Sequence, residues 1–166
     1  MLRTTSLVAL ATAMFCTPAE AQVRPGEFGF VVASSTSRGG TFCGGFTCVP
    51  AQMSAAQNDA LTMTVRTEMR MPFAIGVSTT LGRCAPIPGI GNQLILDPST
   101  VDTLVIGVVS NPSPILACWS GFEDVVVRLP PLPSPTTFYL QAVAAGPDGS
   151  GGTSPAFTVA VECTVR

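Results

Sequence analysis

The acid, base and nucleophile chemistry open to this chain is narrow because two residue types are missing. The 166 residues include no histidine and no lysine, so all 8 cationic side chains are arginines. Histidine is the commonest general base and metal ligand, and a lysine is needed for a Ser-Lys dyad or a Schiff base. A Ser-His-Asp triad therefore cannot be assembled from this sequence.

Paired carboxylates are the acid and base couple that the sequence still offers. Glu123 and Asp124 are adjacent, and glycosidases act through two carboxyl groups roughly 5 to 9.5 Å apart. Adjacent residues of a strand point to opposite faces, which favours a solvated strand entry over catalysis. A hydrolase that uses carboxylates alone is kept as an alternative. Its catalytic pair would be two of five residues: Glu123, Asp124, Glu68, Asp97 and Asp102.

The cysteines could be redox-active or structural. The segment Cys43-Gly-Gly-Phe-Thr-Cys48 lacks the Cys-x-x-Cys spacing of redox motifs, so a structural disulfide is favoured. The disulfide candidates are Cys43, Cys48, Cys84 and Cys118. Spacing alone leaves the pairing open; Cys43 with Cys48 and Cys84 with Cys118 is the preferred pattern, and Cys163 would then be buried on a strand.

Calcium is the one cofactor for which oxygen ligands are at hand. Asp148 in a Gly-rich segment, or Asp97 with Asp102, could supply them, but no EF-hand or acidic-repeat spacing is present. Tight turns also require Asp and Gly, and turn chemistry explains these residues better. We therefore expect no cofactor, with calcium as the minor alternative.

The candidate ligand-binding residues are Trp119 and Phe122. Trp119 is the single tryptophan of the chain. Both residues lie near a loop, where an aromatic ring could stack on a sugar or anchor a partner. The competing interpretation places Trp119 in a hydrophobic core, and we favour it because one Trp and one Tyr make a poor sugar-binding platform.

The strand pattern that must position these residues is strongest from Leu61 to Val77. Its odd positions are apolar except Thr67, and this period of two predicts half-buried strand. The stretch is longer than the usual 3 to 10 residues of one strand. We predict two strands, Leu61–Arg66 and Pro72–Thr79, that cross between facing sheets, with odd residues such as Phe73 facing one core.

Other short apolar runs are separated by Gly and Pro, and no helix is indicated. The predicted fold class is an all-β, antiparallel two-sheet β-sandwich of about 7 to 8 strands. Further strands are predicted at Thr137–Ala145 and Ala156–Val165. Residues 35–60 lose the alternation, which predicts an ordered, cysteine-containing loop pinned by a disulfide.

The C-terminal part of the chain carries a family resemblance. The segments Thr137-Phe138-Tyr139-Leu140-Gln141-Ala142-Val143 and Ser154-Pro155-Ala156-Phe157-Thr158-Val159 resemble the last two strands of fibronectin type III domains. A broader likeness, which includes Leu94-Ile95-Leu96-Asp97-Pro98, covers about residues 59–165 and looks like immunoglobulin-like or fibronectin-like modules of secreted proteins from environmental bacteria. The resemblance implies a compact exported β domain without an assigned activity, and it transfers no site residue.

The first residues have the composition of a cleaved secretory signal. Residues 1–21 contain Arg3, the apolar run Leu7–Phe15 and a small-x-small pattern that ends at Ala21. A lipoprotein signal would instead acylate Cys16, which the bulky preceding residue fits poorly. Residues 22–166 are then predicted to form a single domain.

These features together predict a protein that works in the periplasm, at the cell surface or outside the cell. The net charge of −2 gives no electrostatic case for nucleic acid or an anionic membrane, and no apolar run is long enough for a membrane span. We predict a non-enzymatic structural, surface-associated or binding domain whose partner is an extracellular protein or a glycan. The alternatives are a carbohydrate-binding module that uses Trp119 and adjacent loops, and the carboxylate-only hydrolase.

Overall fold

The computed structural model describes residues 26–113 and 118–166, and these two ranges are built from β-strands. In chain order the strands are β1 (Gly29–Ala33), β2 (Arg38–Thr41), β3 (Ala51–Ala55), β4 (Ala60–Thr67), β5 (Pro72–Ser78), β6 (Leu81–Pro86), β7 (Gln93–Leu96), β8 (Asp102–Val108), β9 (Asn111–Pro112), β10 (Gly121–Arg128), β11 (Thr136–Pro147), β12 (Thr153–Phe157) and β13 (Val161–Val165). The predicted signal peptide over residues 1–21 lies outside the described residues. So does most of the extended piece that the sequence suggests over Ile115–Trp119. Within the two described ranges, no helix has the length and apolar character needed to cross a membrane.

The strands form two facing sheets and one small hairpin. Sheet A has the order β2-β1-β4-β10-β9, and sheet B has the order β3-β13-β11-β5-β8, with β12 also paired to β11. The strands β6 and β7 pair with each other. All pairs are antiparallel except β3 with β13, which run parallel. The predicted all-β sandwich is confirmed.

The strand count exceeds the predicted number of 7 to 8. The segment predicted as a loop over residues 35–60 contains β2 and β3. In β2 the sequence is Arg-Gly-Gly-Thr, and Gly40 has a φ of 104°, so no periodic pattern could indicate a strand there. The single strand predicted over Ala156–Val165 is instead divided into β12 and β13. Between them Thr158 donates its backbone N–H to the Ala142 carbonyl.

The crossing predicted between Leu61 and Val77 is confirmed. The strand β4 belongs to sheet A and β5 to sheet B. Their odd residues fill the space between the sheets: Leu61, Met63, Val65, Phe73 and Ile75 are each at most 3% exposed. Burial of such side chains contributes roughly 1.5 to 3 kcal/mol each, so this shared face is a main source of stability.

A buried threonine closes the inward face of β4. Thr67 is fully buried, and its hydroxyl donates a 2.7 Å hydrogen bond to the carbonyl of Ala145 in β11. A buried hydroxyl without a partner is costly, and this bond explains why a polar residue fits the apolar series. The chain then turns at Arg70, which has a φ of 67° and donates its backbone N–H to the Val109 carbonyl.

Two disulfides join the segment after β2 to distant parts of the chain. Cys43 is bonded to Cys118 and Cys48 to Cys84, with sequence separations of 75 and 36 residues. Cys163 is free and buried. The preferred pairing of Cys43 with Cys48 and of Cys84 with Cys118 is wrong. Cys43 lies beside the approach to β10, whereas Cys48 lies beside β6.

We predict that Phe73→Asp unfolds the domain. Phe73 is buried between the sheets, and an unpaired buried charge costs several kcal/mol, which is comparable to the whole free energy of unfolding. The matched control is Val126→Asp, because Val126 is 64% exposed on β10. Thermal melting followed by circular dichroism should show loss of the transition for Phe73→Asp alone. Equal melting of the two variants would contradict the assigned face.

We also predict that peptide mapping under non-reducing conditions recovers Cys43 linked to Cys118 and Cys48 linked to Cys84. Replacing both cysteines of either bridge by serine should lower the free energy of unfolding by about 2 to 5 kcal/mol, because each bridge constrains a long loop of the unfolded chain. Denaturant titration measures this loss. Recovery of a Cys43–Cys48 peptide would refute the assigned pairing.

Candidate functional site

The outer face of sheet A carries an arginine stacked on two phenylalanine rings. Arg66 lies opposite Phe122 in the register between β4 and β10, and its guanidinium carbon is 5.6 Å from the Phe122 ring centroid. The same guanidinium carbon is 5.1 Å from the ring centroid of Phe42, and that of Arg38 is also 5.1 Å from this ring. We call Arg38, Phe42, Arg66 and Phe122 the arginine–phenylalanine cluster.

The backbone holds Phe42 in place from two sides. Gly29 of β1 lies directly under it, since a Cβ on Gly29 would be 2.2 Å from the Phe42 carbonyl oxygen. Cys43, the next residue, is anchored by its disulfide to Cys118. The Phe42 side chain is therefore fixed at its base, and it remains 38% exposed. Phe42 therefore lies on an irregular segment but has a fixed backbone position from which its ring reaches solvent.

Arg66 is the best-fixed cation of the cluster. Its Nη1 donates a 3.2 Å hydrogen bond to the Ser113 hydroxyl, while its Nε is buried and has no hydrogen-bond partner among residues 26–113 and 118–166. Arginine can stack on aromatic rings and also donate paired hydrogen bonds to planar anions such as carboxylates. The arrangement can bind an anionic or hydroxyl-rich partner; it contains no nucleophile or general base.

The predicted carboxylate pair is divided between two faces of β10. Asp124 accepts a 2.5 Å hydrogen bond from the Thr64 hydroxyl on the outer face of sheet A. Glu123 instead accepts hydrogen bonds from the backbone and hydroxyl of Ser110 and from the Asn111 amide, at 2.9, 2.6 and 3.1 Å. Glu123 thus fastens the turn between β8 and β9. The two carboxylates hold separate structural contacts, as expected for a solvated strand.

The two predicted ligand-binding residues have different positions. Trp119 is 6% exposed and belongs to the hydrophobic core, where its ring centroid is 5.3 Å from that of Phe28. It offers no face to a sugar ring, which favours the packing interpretation. Phe122 is half-buried on the outer face of sheet A, within the cluster. Phe42 and Arg66 are not among the binding residues predicted from the sequence. The available signal for Arg66 was its even position in β4, which places it on the outer face.

The aspartates considered for calcium serve turns. Hydrogen bonds from the backbone N–H and then the hydroxyl of Ser99 hold the pKa of the Asp97 carboxyl below its ordinary value. Hydrogen bonds from the Ser150 hydroxyl and backbone do the same for the pKa of Asp148. Within residues 26–113 and 118–166, no group of three or more Asp, Glu, Cys or His side chains is placed to hold a metal ion.

Comparisons with known proteins give no family. No protein-family model and no curated relative matches the sequence. The solved structures that match include a chitin-binding domain from Burkholderia pseudomallei and a cellulose-active polysaccharide monooxygenase from M. thermophila. Each is 11% identical and covers 68% of this chain, with TM-scores of 0.37 and 0.36. This chain spans 56% and 53% of their lengths.

The free thiol of Cys163 should be inert in the folded protein. The residue is fully buried, and burial raises the pKa of its thiol from 9.0 to about 11. A reactive cysteine needs the thiolate and access to solvent. We expect N-ethylmaleimide at pH 8 to label Cys163 only after unfolding in guanidinium chloride, as measured by mass spectrometry. Full labelling without denaturant would contradict the buried position.

The same shift predicts a pH dependence of stability. The unfolded chain loses the Cys163 proton near its ordinary pKa, whereas the folded chain keeps it until about pH 11. The contribution to stability is therefore complete below about pH 9 and is lost as the pH rises towards 11. As the pH rises from about 9 to about 11, the free energy of unfolding should fall less steeply for Cys163→Ala than for the parent protein. Parallel curves would show that the thiol does not contribute.

Proposed function

We propose that this chain is a non-enzymatic binding domain that works outside the cytoplasm, with the arginine–phenylalanine cluster as its binding surface. The observation that carries this proposal is the stacking of Arg38 and Arg66 on the exposed ring of Phe42, next to a disulfide that fixes the backbone. A surface that is rigid before binding loses little conformational entropy when a partner binds.

Export is supported by the cysteine chemistry. Four of the five cysteines in the described residues are disulfide-bonded, and disulfides persist in oxidising compartments. The signal peptide over residues 1–21, followed by one domain, gives the simplest route to such a compartment. We therefore place the protein in the periplasm, at the cell surface or in the extracellular medium.

An extracellular glycan that carries carboxylate or other anionic groups fits the chemistry of the cluster. The guanidinium groups can donate paired hydrogen bonds to an anion, and the exposed part of Phe42 can contact the apolar face of a sugar ring. The chain as a whole has a net charge of −2, so attraction to an anionic polymer requires a local concentration of positive charge, which Arg38 and Arg66 provide around Phe42. Of the two binding residues predicted from the sequence, Phe122 remains in the proposed site, and Phe42 takes the place of Trp119. The divided positions of Glu123 and Asp124 give the hydrolase alternative no support.

Affinity electrophoresis in gels that contain acidic or neutral polysaccharides tests the proposal. We expect retardation by an acidic polysaccharide, and retardation should weaken as salt rises because the contacts are partly exposed. Arg66→Gln should weaken binding by about tenfold or more, since a hydrogen bond to a charged group contributes about 1.5 to 3 kcal/mol. Phe42→Ala should weaken it as well.

The matched control is Arg128→Gln. Arg128 is an exposed arginine on β10 that lies opposite Ala60, at the other end of the same strand pair. The Arg128→Gln substitution removes the same charge as Arg66→Gln but does not alter the cluster, so it should leave the affinity for the polysaccharide nearly unchanged. Equal loss of binding in Arg66→Gln and Arg128→Gln would indicate unspecific charge attraction. No retardation of the parent by any polysaccharide would exclude the glycan partner.

A further inference from the structure

A second site lies where the two sheets open at one end of the sandwich. It is a pocket of about 250 Å³ whose lining includes residues of both sheets and of the proline-rich segment after β10. Its inner wall includes Leu61 and Met63 of β4 and Leu140 of β11, which are all buried core residues. Thr79 and Thr136 lie at its outer end, where the chain is more exposed. The pocket is therefore open to solvent at its outer end and is closed by core side chains at its inner end.

An irregularity in β8 directs an additional side chain into this pocket. The register with β5 pairs Ile75 with Val105 and then Gly76 with Thr103, so Leu104 is an extra residue without a partner. Such bulges re-aim side chains. Leu104 lines the pocket while Val105 packs against the core, and the next residue, Ile106, faces away and is 77% exposed.

The lining is complementary to hydrocarbon and to no other ligand class. Within the described part of the chain, the surface that faces the pocket is apolar, and no charged residue lines it. A ligand group that needs hydrogen bonds would lose them on entry without replacement. An apolar cavity of about 150 Å³ in another protein is known to stay dry and to bind benzene, so the larger volume here accommodates a longer apolar group.

We infer that this pocket binds an aliphatic chain, such as the tail of a lipid or fatty alcohol, with the tail inward and the polar end in solvent. The direction follows because the buried side chains of Leu61, Met63 and Leu140 close the inner end, whereas the outer end, at Thr79 and Thr136, is open to solvent. This site is separate from the arginine–phenylalanine cluster and does not depend on the function proposed for it.

The first test is titration of the intact protein with 1-alkanols of increasing length, using isothermal calorimetry. Each buried methylene contributes about 0.8 kcal/mol, which is about fourfold in affinity. We expect the affinity to rise by that factor per carbon and then to level off when the pocket is full. Alkyl glucosides and fatty acids of the same chain length then show which head group is tolerated. Absence of saturable binding throughout the series would overturn the inference.

The second test compares two variants of β8. Leu104→Arg places a charge at the pocket and should weaken 1-alkanol binding by about tenfold or more. Ile106→Arg introduces the same side chain two residues away on the exposed outer face and should bind like the parent. Equal affinities of both variants would overturn the site.

The third test uses the unmodified protein, so it holds even if Leu104→Arg fails to fold. In samples with ¹³C-labelled methionine methyl groups, the Met63 resonance should shift on addition of octanol because Met63 lines the pocket. Met53 is also buried in the core but is not part of the lining and should not shift. Equal shifts of the two signals would refute the site. Octanol binding that occurs only when the protein dimerises, as measured by sedimentation velocity, would also refute the site, since a second copy of the chain would then occupy the pocket.

Discussion

The structure depends on one constraint, which is that the odd residues of β4 and β5 must face the same core although the two strands belong to different sheets. A strand has a period of two, so a shift of one residue would move every apolar side chain of β4 to solvent. This parity also determines both candidate sites. The even residue Arg66 must lie on the outer face, where it meets Phe122, whereas Leu61 and Met63 must face inward and form the inner wall of the apolar pocket.

The parts of the fold that the sequence predicts are those in which side-chain burial follows a regular period. The crossing between β4 and β5, and the inward face of β11 with Phe138 and Leu140, are of this kind. The strand β2 could not be predicted, because its glycines lack side chains that would show a period. The disulfide pairing was wrong for a related reason. It is determined by where residues 42–50 lie against Cys84 and Cys118, and sequence separation carries little information on such contacts.

The candidate site was predicted less completely than the fold. Phe122 was selected because it is an aromatic residue near a loop, but the same criterion also selected Trp119, which is buried against Phe28. Local sequence cannot distinguish these two positions, since burial depends on which face of the sheet each residue meets. Phe42 had no local signal. It joins Arg66 only because Gly29 allows its backbone to approach β1, a contact between residues that are 13 positions apart.

The two sites can act independently because β4 separates them in two ways. Arg66 and Leu61 are five residues apart on this strand, which corresponds to about 17 Å along an extended chain, and their side chains lie on opposite faces of sheet A. Residues this far apart, without shared partners, contribute to stability and binding almost additively. Coupling would require β4 to move as a unit, but its inward side chains are packed between both sheets and its neighbours β1 and β10 are paired along its length. A rigid strand of this kind holds a polar surface on one side and an apolar pocket on the other without making either depend on the occupancy of the other.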